Sequence, residues 1–140
     1  MKINLKRLDD AFHFEAVGSS GIKIHTDGSP EIGGHNLGAR PMELLLAGLA
    51  SCSAIDVVLI LKKQRQTIED FEISIEGERV KEEGTERSPF RKVHIHYKLK
   101  GVIDAAKAEK AVEISMKKYC SASAQFEPLA TITHEVSIEN

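Results

Sequence analysis

The 140-residue sequence has no tryptophan, two tyrosines and five phenylalanines, so few rings are available to stack on nucleic-acid bases. It also lacks any excess of positive charge. Nineteen basic residues against 21 acidic ones leave a formal net charge of −2, which offers no field to attract a phosphate backbone. Nucleic-acid binding is therefore not expected. Four prolines and ten glycines are too few for a collagen-like or low-complexity chain, and 41% hydrophobic with 29% charged residues describes a globular one. The opening MKINLKRLDD alternates apolar and charged residues without a continuous apolar stretch. No secretory signal is visible in it, and a cytoplasmic location is expected. Cysteine is scarce. In a reducing compartment Cys52 and Cys120 are expected as free thiols or a redox pair rather than a structural staple. Neither a Cys-x-x-Cys nor a His-Glu-x-x-His motif occurs, and GGHNLG lacks the lysine of a phosphate-cradling loop.

What is present reads as one domain spanning residues 1–140, with no internal repeat and no linker. Period-two patterns at Ile3 and Leu5, at Phe12, Phe14 and Ala16, and at Ile22 and Ile24 are separated by turn signals and predict an antiparallel meander. Residues 26–40, TDGSPEIGGHNLGAR, read as a loop. Pro41 suits a first helical position, Glu43 falls in the positive first turn, and Lys62, Lys63 and Arg65 meet the negative end of a long helix. Between Leu44 and Leu61 the only charge is Asp56, so this helix is apolar on nearly every side and must be fully buried or cross a membrane. Asp56 and the run of small residues from Ala47 to Ala54 argue against a span.

Downstream, Phe71, Ile73 and Ile75 alternate with acidic residues, while Val93, Ile95, Tyr97 and Leu99 alternate with Lys92, His94, His96 and Lys98. Pairing these two strands antiparallel sets opposite charges side by side. Asp104 caps a second helix, Ala105 to Tyr119, with Ala108, Val112, Met116 and Tyr119 as its core stripe. Residues 121–128 read as irregular, and Thr131 to Ile138 alternates as a last strand. The order β-β-β-α-β-β-α-β gives an α+β fold around one buried helix.

Cys52, in the middle of an apolar helix, is by itself a small inert hydrophobe, and Cys120, in a serine-rich turn, a plain surface thiol. Together they could act as a pair, because a thiolate oxidised to sulfenic acid condenses with a second thiol before further oxidation. Asp56, four residues after Cys52, opposes thiolate formation unless it is turned onto a cation. Arg40 is the candidate cation, but twelve residues of helix rise, about 18 Å, separate it from Cys52 along its own chain. Glu43 points to the opposite side of the helix. Either both residues are structural or a twofold partner supplies them across an interface. His94 and His96 share a strand face, yet Lys92 and Lys98 flank them and repel a cation, so no metal ligands are assigned there.

The segments RPMELLLAGLASCSAIDVV and KYCSASAQFEPLATITHEVSI resemble the OsmC/Ohr family, the osmotically inducible and organic-hydroperoxide-resistance proteins. The resemblance covers nearly the whole chain and rests on Pro41, Glu43, Cys52 and Cys120. It implies an intertwined homodimer with two central helices inside and sheets outside. It also implies a thiol peroxidase without a bound cofactor or metal, in which Cys52, activated by arginine and glutamate, attacks an organic hydroperoxide. Cys120 then closes a disulfide that a lipoyl-type dithiol reduces. Arg40 and Glu43 are the candidates for the activating pair. Met42 stands where the peroxidase branches carry their glutamate, AVGSSGIK has no hairpin arginine, and Ser121 replaces a proline after the second cysteine. A second reading is a noncatalytic dimer whose interface pocket binds an apolar small molecule.

Overall fold

The computed structural model describes residues 1–140 and contains the expected α+β fold. Its strands are β1 (Asn4–Arg7), β2 (Phe14–Val17), β3 (Lys23–Thr26), β4 (Thr67–Arg79), β5 (Phe90–Val102) and β6 (Thr131–Glu139). Its α-helices are α1 (Pro41–Lys63), α2 (Ala105–Ile114) and α3 (Ser121–Phe126). The chain forms two compact units, Met1–Leu45 and Leu46–Asn140. Helix α1 runs without interruption through the boundary.

In the larger unit β4, β5 and β6 make one sheet. The β4–β5 pairing is antiparallel and sets Asp70 opposite Lys100, Glu72 opposite Lys98, Glu76 opposite His94 and Glu78 opposite Lys92, the charge-matched hairpin that the alternating patterns predict. Strand β6 joins the other edge of β5 in parallel. Val93, Ile95, Tyr97 and Leu99 of β5 turn inward and are almost fully buried. They meet Leu49, Ser53, Val57 and Leu61, the i, i+4 row of α1, and Ala108, Ala111 and Val112 of α2 in one core. Helix α1 ends where Arg65 takes a left-handed φ of 58°, the Arg65 N–H donating to Lys62 O at 3.0 Å and the Gln66 N–H to Leu61 O at 3.0 Å.

Within its own chain helix α1 buries only that one row, and Ile55 and Leu59 are 62% and 54% exposed. By length and composition α1 could cross a membrane. The stretch after Cys120 is not irregular, because Ser121–Phe126 is helical with Cys120 as its cap. The core stripe of α2 does not run on to Tyr119, which is 56% exposed, because residues Ser115–Tyr119 form a wider π-turn whose extra residue moves the stripe to Ser115 and Cys120.

The smaller unit is the expected meander, β1-β2-β3, with Leu5 opposite Ala16 and Ala16 opposite Ile24. Leu5 and Ile24 are exposed, so this sheet carries an uncovered apolar row. The following loop contains a single 3₁₀ turn, Pro30–Ile32, and is pinned to the sheet by a bridge between Thr26 and Ala39. Its organiser is Asp27, a buried carboxylate that the sequence pattern did not single out. Oδ1 accepts from the Gly28 N–H at 2.7 Å, and Oδ2 from the His35 and Leu37 N–H groups at 3.2 and 3.0 Å. These bonds, Leu37's first, hold the carboxyl below its usual range against the opposing effect of burial. Gly34 and Gly38 pass so close to the Gly28 and His25 backbone that a side chain at either would displace it.

A group whose folded-state pKa is depressed contributes stability that is present above its unfolded value, about 3.9, and lost as pH falls through the depressed one. Hydrogen exchange at the His35 and Leu37 amides is accordingly expected to stay slow to below pH ~4. Asp27→Asn, which has one acceptor oxygen in place of two, is expected to speed exchange at those amides while leaving β5 unchanged.

Candidate active site

The central residues all belong to the larger unit. Cys52 lies in the middle of α1, half-buried, and Cys120 follows the π-turn, 4% exposed, so the accessibility expected of the two thiols is reversed. Both are free. The Cys52 thiol is close enough to act on the Cys120 thiol, which brings together two residues far apart in sequence. Cys120 Sγ accepts from the Ser123 N–H at 3.3 Å as the cap of α3, and its own N–H donates to Ser115 O at 2.7 Å. Burial pushes the Cys120 thiol above its usual range; the Ser123 bond opposes this and the neighbouring Cys52 thiol adds to it.

Beside the thiols runs a buried chain of hydroxyls that sequence reasoning missed. Tyr97 Oη lies 2.7 Å from Ser53 Oγ, Ser53 Oγ lies 3.0 Å from Ser115 Oγ, and Ser115 Oγ donates to Asp56 Oδ2 at 2.9 Å. The cation sought for Asp56 is therefore replaced by a hydroxyl donor. Tyr97 is pushed up to about 12, chiefly by burial, with the Ser53 bond working the other way. It remains a neutral donor across the physiological range. The sequence signal that could have led here is Asp56 itself, because one carboxyl in an apolar helix requires a donor from another element.

Arg40 and Glu43 belong to the smaller unit. The Arg40 N–H donates to Glu43 Oε1 at 3.1 Å, closing the first turn of α1. The Arg40 guanidinium donates to Gly38 O at 3.2 Å and Asn36 Oδ1 at 2.9 Å, so it is committed to the loop before the helix, and Glu43 is exposed.

A cavity of about 340 Å³ in the larger unit is lined by Asp56, Leu59, Ile60, Ile114 and Tyr119, among others, and by neither cysteine. On the outer face of the sheet Glu135 accepts from His94 Nε2 at 3.0 Å and lies 3.4 Å from His96 Nε2. His94 Nδ1 is also 2.8 Å from Thr133 Oγ1, and His96 Nε2 is 2.8 Å from Ser137 Oγ. The imidazole nitrogens thus tie β5 to β6, and no three His, Cys, Asp or Glu side chains are grouped to hold a metal ion.

Comparison with known proteins agrees with this fold. The family model described as OsmC-like protein matches residues 34–135. Protein YhfA of Escherichia coli K12 is 36% identical over 129 residues, covering 89% of each chain. A hypothetical protein from Aquifex aeolicus VF5 has a similar structure, with a TM-score of 0.79 at 33% identity over 99% of this chain and 97% of that one. An organic hydroperoxide resistance protein OsmC from Legionella pneumophila shares the fold, with a TM-score of 0.72 at 20% identity over 98% and 97% of the two chains. With most of its length inside the family model and a relative 36% identical over 89% of both chains, the chain belongs to the OsmC-like protein family.

Proposed function

We propose that this OsmC-like protein is a thiol-dependent peroxidase that reduces organic hydroperoxides, with Cys52 as the attacking thiol and Cys120 as the resolving one. The observation that carries the reading is the nearness of two free thiols from distant segments, the more open one on α1 and the buried one just after the π-turn. The Cys52 thiolate attacks the outer peroxide oxygen. The S–O bond forms as the O–O bond breaks, and the alkoxide leaves and takes up a proton as the alcohol. The Cys120 sulfur then attacks the Cys52 sulfur. The S–S bond forms, the S–O bond breaks, and hydroxide departs with the Cys120 proton as water. A dithiol of the lipoyl type returns two electrons and two protons, restoring both thiols and becoming a disulfide itself.

The same reading includes a homodimer. It is supported by the exposed apolar residues Ile55 and Leu59 on α1 and Leu5 and Ile24 on the first sheet. In it Arg40 and Glu43, already joined at the start of α1, serve the thiol of a second copy. The rival reading, a noncatalytic protein that binds an apolar small molecule, draws on the cavity beside Leu59, Ile60 and Tyr119, which no cysteine lines.

Substoichiometric cumene hydroperoxide at neutral pH is expected to consume both thiols together and yield an intrachain Cys52–Cys120 disulfide by intact mass. Two unreacted thiols would end the enzyme reading. A ligand that co-purifies and binds Cys52→Ser as tightly as wild type would favour the rival.

Because burial holds Cys120 above the usual thiol range, its thiolate fraction grows with pH throughout the neutral range. Disulfide closure is expected to accelerate about tenfold per pH unit there, and a flat profile from pH 6 to 8 would contradict Cys120 as the slow partner. Sedimentation is expected to show a dimer, and Ile55→Glu is expected to give a monomer by placing a charge on the apolar face.

A further inference from the structure

The hydroxyl chain has a direction. Ser115 donates its one hydroxyl proton to Asp56, so toward Ser53 it can only accept. Ser53 therefore donates to Ser115 and accepts from Tyr97. Three protons point the same way, toward one carboxylate, through side chains that are each fully buried. The chain joins β5, α1 and the turn after α2, and Ser115 is its joint with that turn.

Ser115 opens the π-turn, and its carbonyl accepts from the Cys120 N–H rather than from the Tyr119 N–H that an α-helix would present. The wider turn inserts one residue, so the side chain returning to the buried face one turn after Ser115 is Cys120, while Tyr119 swings out to 56% exposure. π-turns are rare and occur mainly as single turns within α-helices. This one is held at its first residue from two sides: the backbone bond to Cys120 and the side-chain bonds to Asp56 and Ser53.

We infer that the Tyr97–Ser53–Ser115–Asp56 chain holds the π-turn in the register that turns Cys120 toward Cys52, making Ser115 and Asp56 positioning residues for disulfide closure. The inference builds on the peroxidase reading but concerns only how the two sulfurs are brought to bond. Removing the Ser115 hydroxyl leaves Asp56 and Ser53 without their partner and frees the turn to relax toward α-helical hydrogen bonding, which carries Cys120 away. The chain acts through Cys120 and not on the peroxide, so the first oxidation of Cys52 is unaffected.

The test uses the reduced full-length protein in two arms. With cumene hydroperoxide in single turnover, Ser115→Ala is expected to consume the Cys52 thiol within about twofold of the wild-type rate, to close the disulfide at least about tenfold more slowly, and to accumulate a Cys52 sulfenate trapped by dimedone. Asp56→Ala is expected to show the same slow closure, and Asp56→Asn, which keeps an oxygen to accept from Ser115, to restore most of it. Wild-type closure in Ser115→Ala, or an Asp56→Asn no faster than Asp56→Ala, overturns the inference. Should Ser115→Ala not fold, as read by circular dichroism, the Asp56 pair decides alone.

In the second arm diamide, which takes up the two electrons and two protons itself, closes the disulfide without peroxide. Slow closure by diamide in the variants, with wild type inert to hydroperoxide, would sink the peroxidase reading and leave the positioning role standing. Equal diamide closure in wild type and variants sinks the positioning role whatever the peroxide does.

Discussion

Asp56 is the single charge between Leu44 and Leu61, and its need for a hydrogen-bond donor decides how α1 meets the rest of the larger unit. A carboxylate left unpaired among apolar groups would cost about 1–3 kcal/mol or more, a large share of the stability of a domain this size. Ser115 meets that need, and Ser53 and Tyr97 continue the bonding into the sheet. Each of the three hydroxyls has a partner, so a polar thread crosses the core between fully buried Leu49, Val57 and Ile95 without an orphaned buried group. Such a thread is more directional than apolar packing, since a shift of either helix breaks several bonds at once.

The cysteines sit where this constraint is tightest. Cys52 is the immediate neighbour of Ser53 on α1, and Cys120 is bonded through its N–H to Ser115. Both ends of a prospective disulfide are thus one step removed from the same hydrogen-bond chain. Their environments differ, because Cys52 is the more open thiol and Cys120 is sealed, its thiol pushed above the usual range by burial. In the proposed reaction that order limits the sulfenic acid to one fate, capture by its buried neighbour.

Much of the fold was legible in the residues. Pro41, Glu43 and the terminal lysines mark both ends of α1, and the facing acidic and basic alternations of β4 and β5 state their own register. The pattern of Pro41, Glu43, Cys52 and Cys120, with the length and strand order, points to the family. The failures have physical causes. Reading α2 at a steady helical period put Tyr119 in the core and missed the π-turn, because one hydrogen bond passed from residue i+4 to i+5 leaves no trace in apolar spacing. The serines around Cys120 read as a solvated surface turn, yet Ser123 turns its amide and its hydroxyl inward to cap and close that turn. Asp27 escaped notice because its partners are backbone N–H groups, which any residue can supply.

By itself the sequence determined most of the helices and strands, how the charged hairpin pairs, and that α1 is apolar on nearly every side, since these follow from periodicity, capping and charge along the chain. Only the tertiary structure decided that the two sulfurs are neighbours, which of them faces outward, and that Asp56 is answered by a serine rather than an arginine. Those outcomes depend on contacts between residues dozens of positions apart and on one widened turn, and nothing in a local pattern carries either.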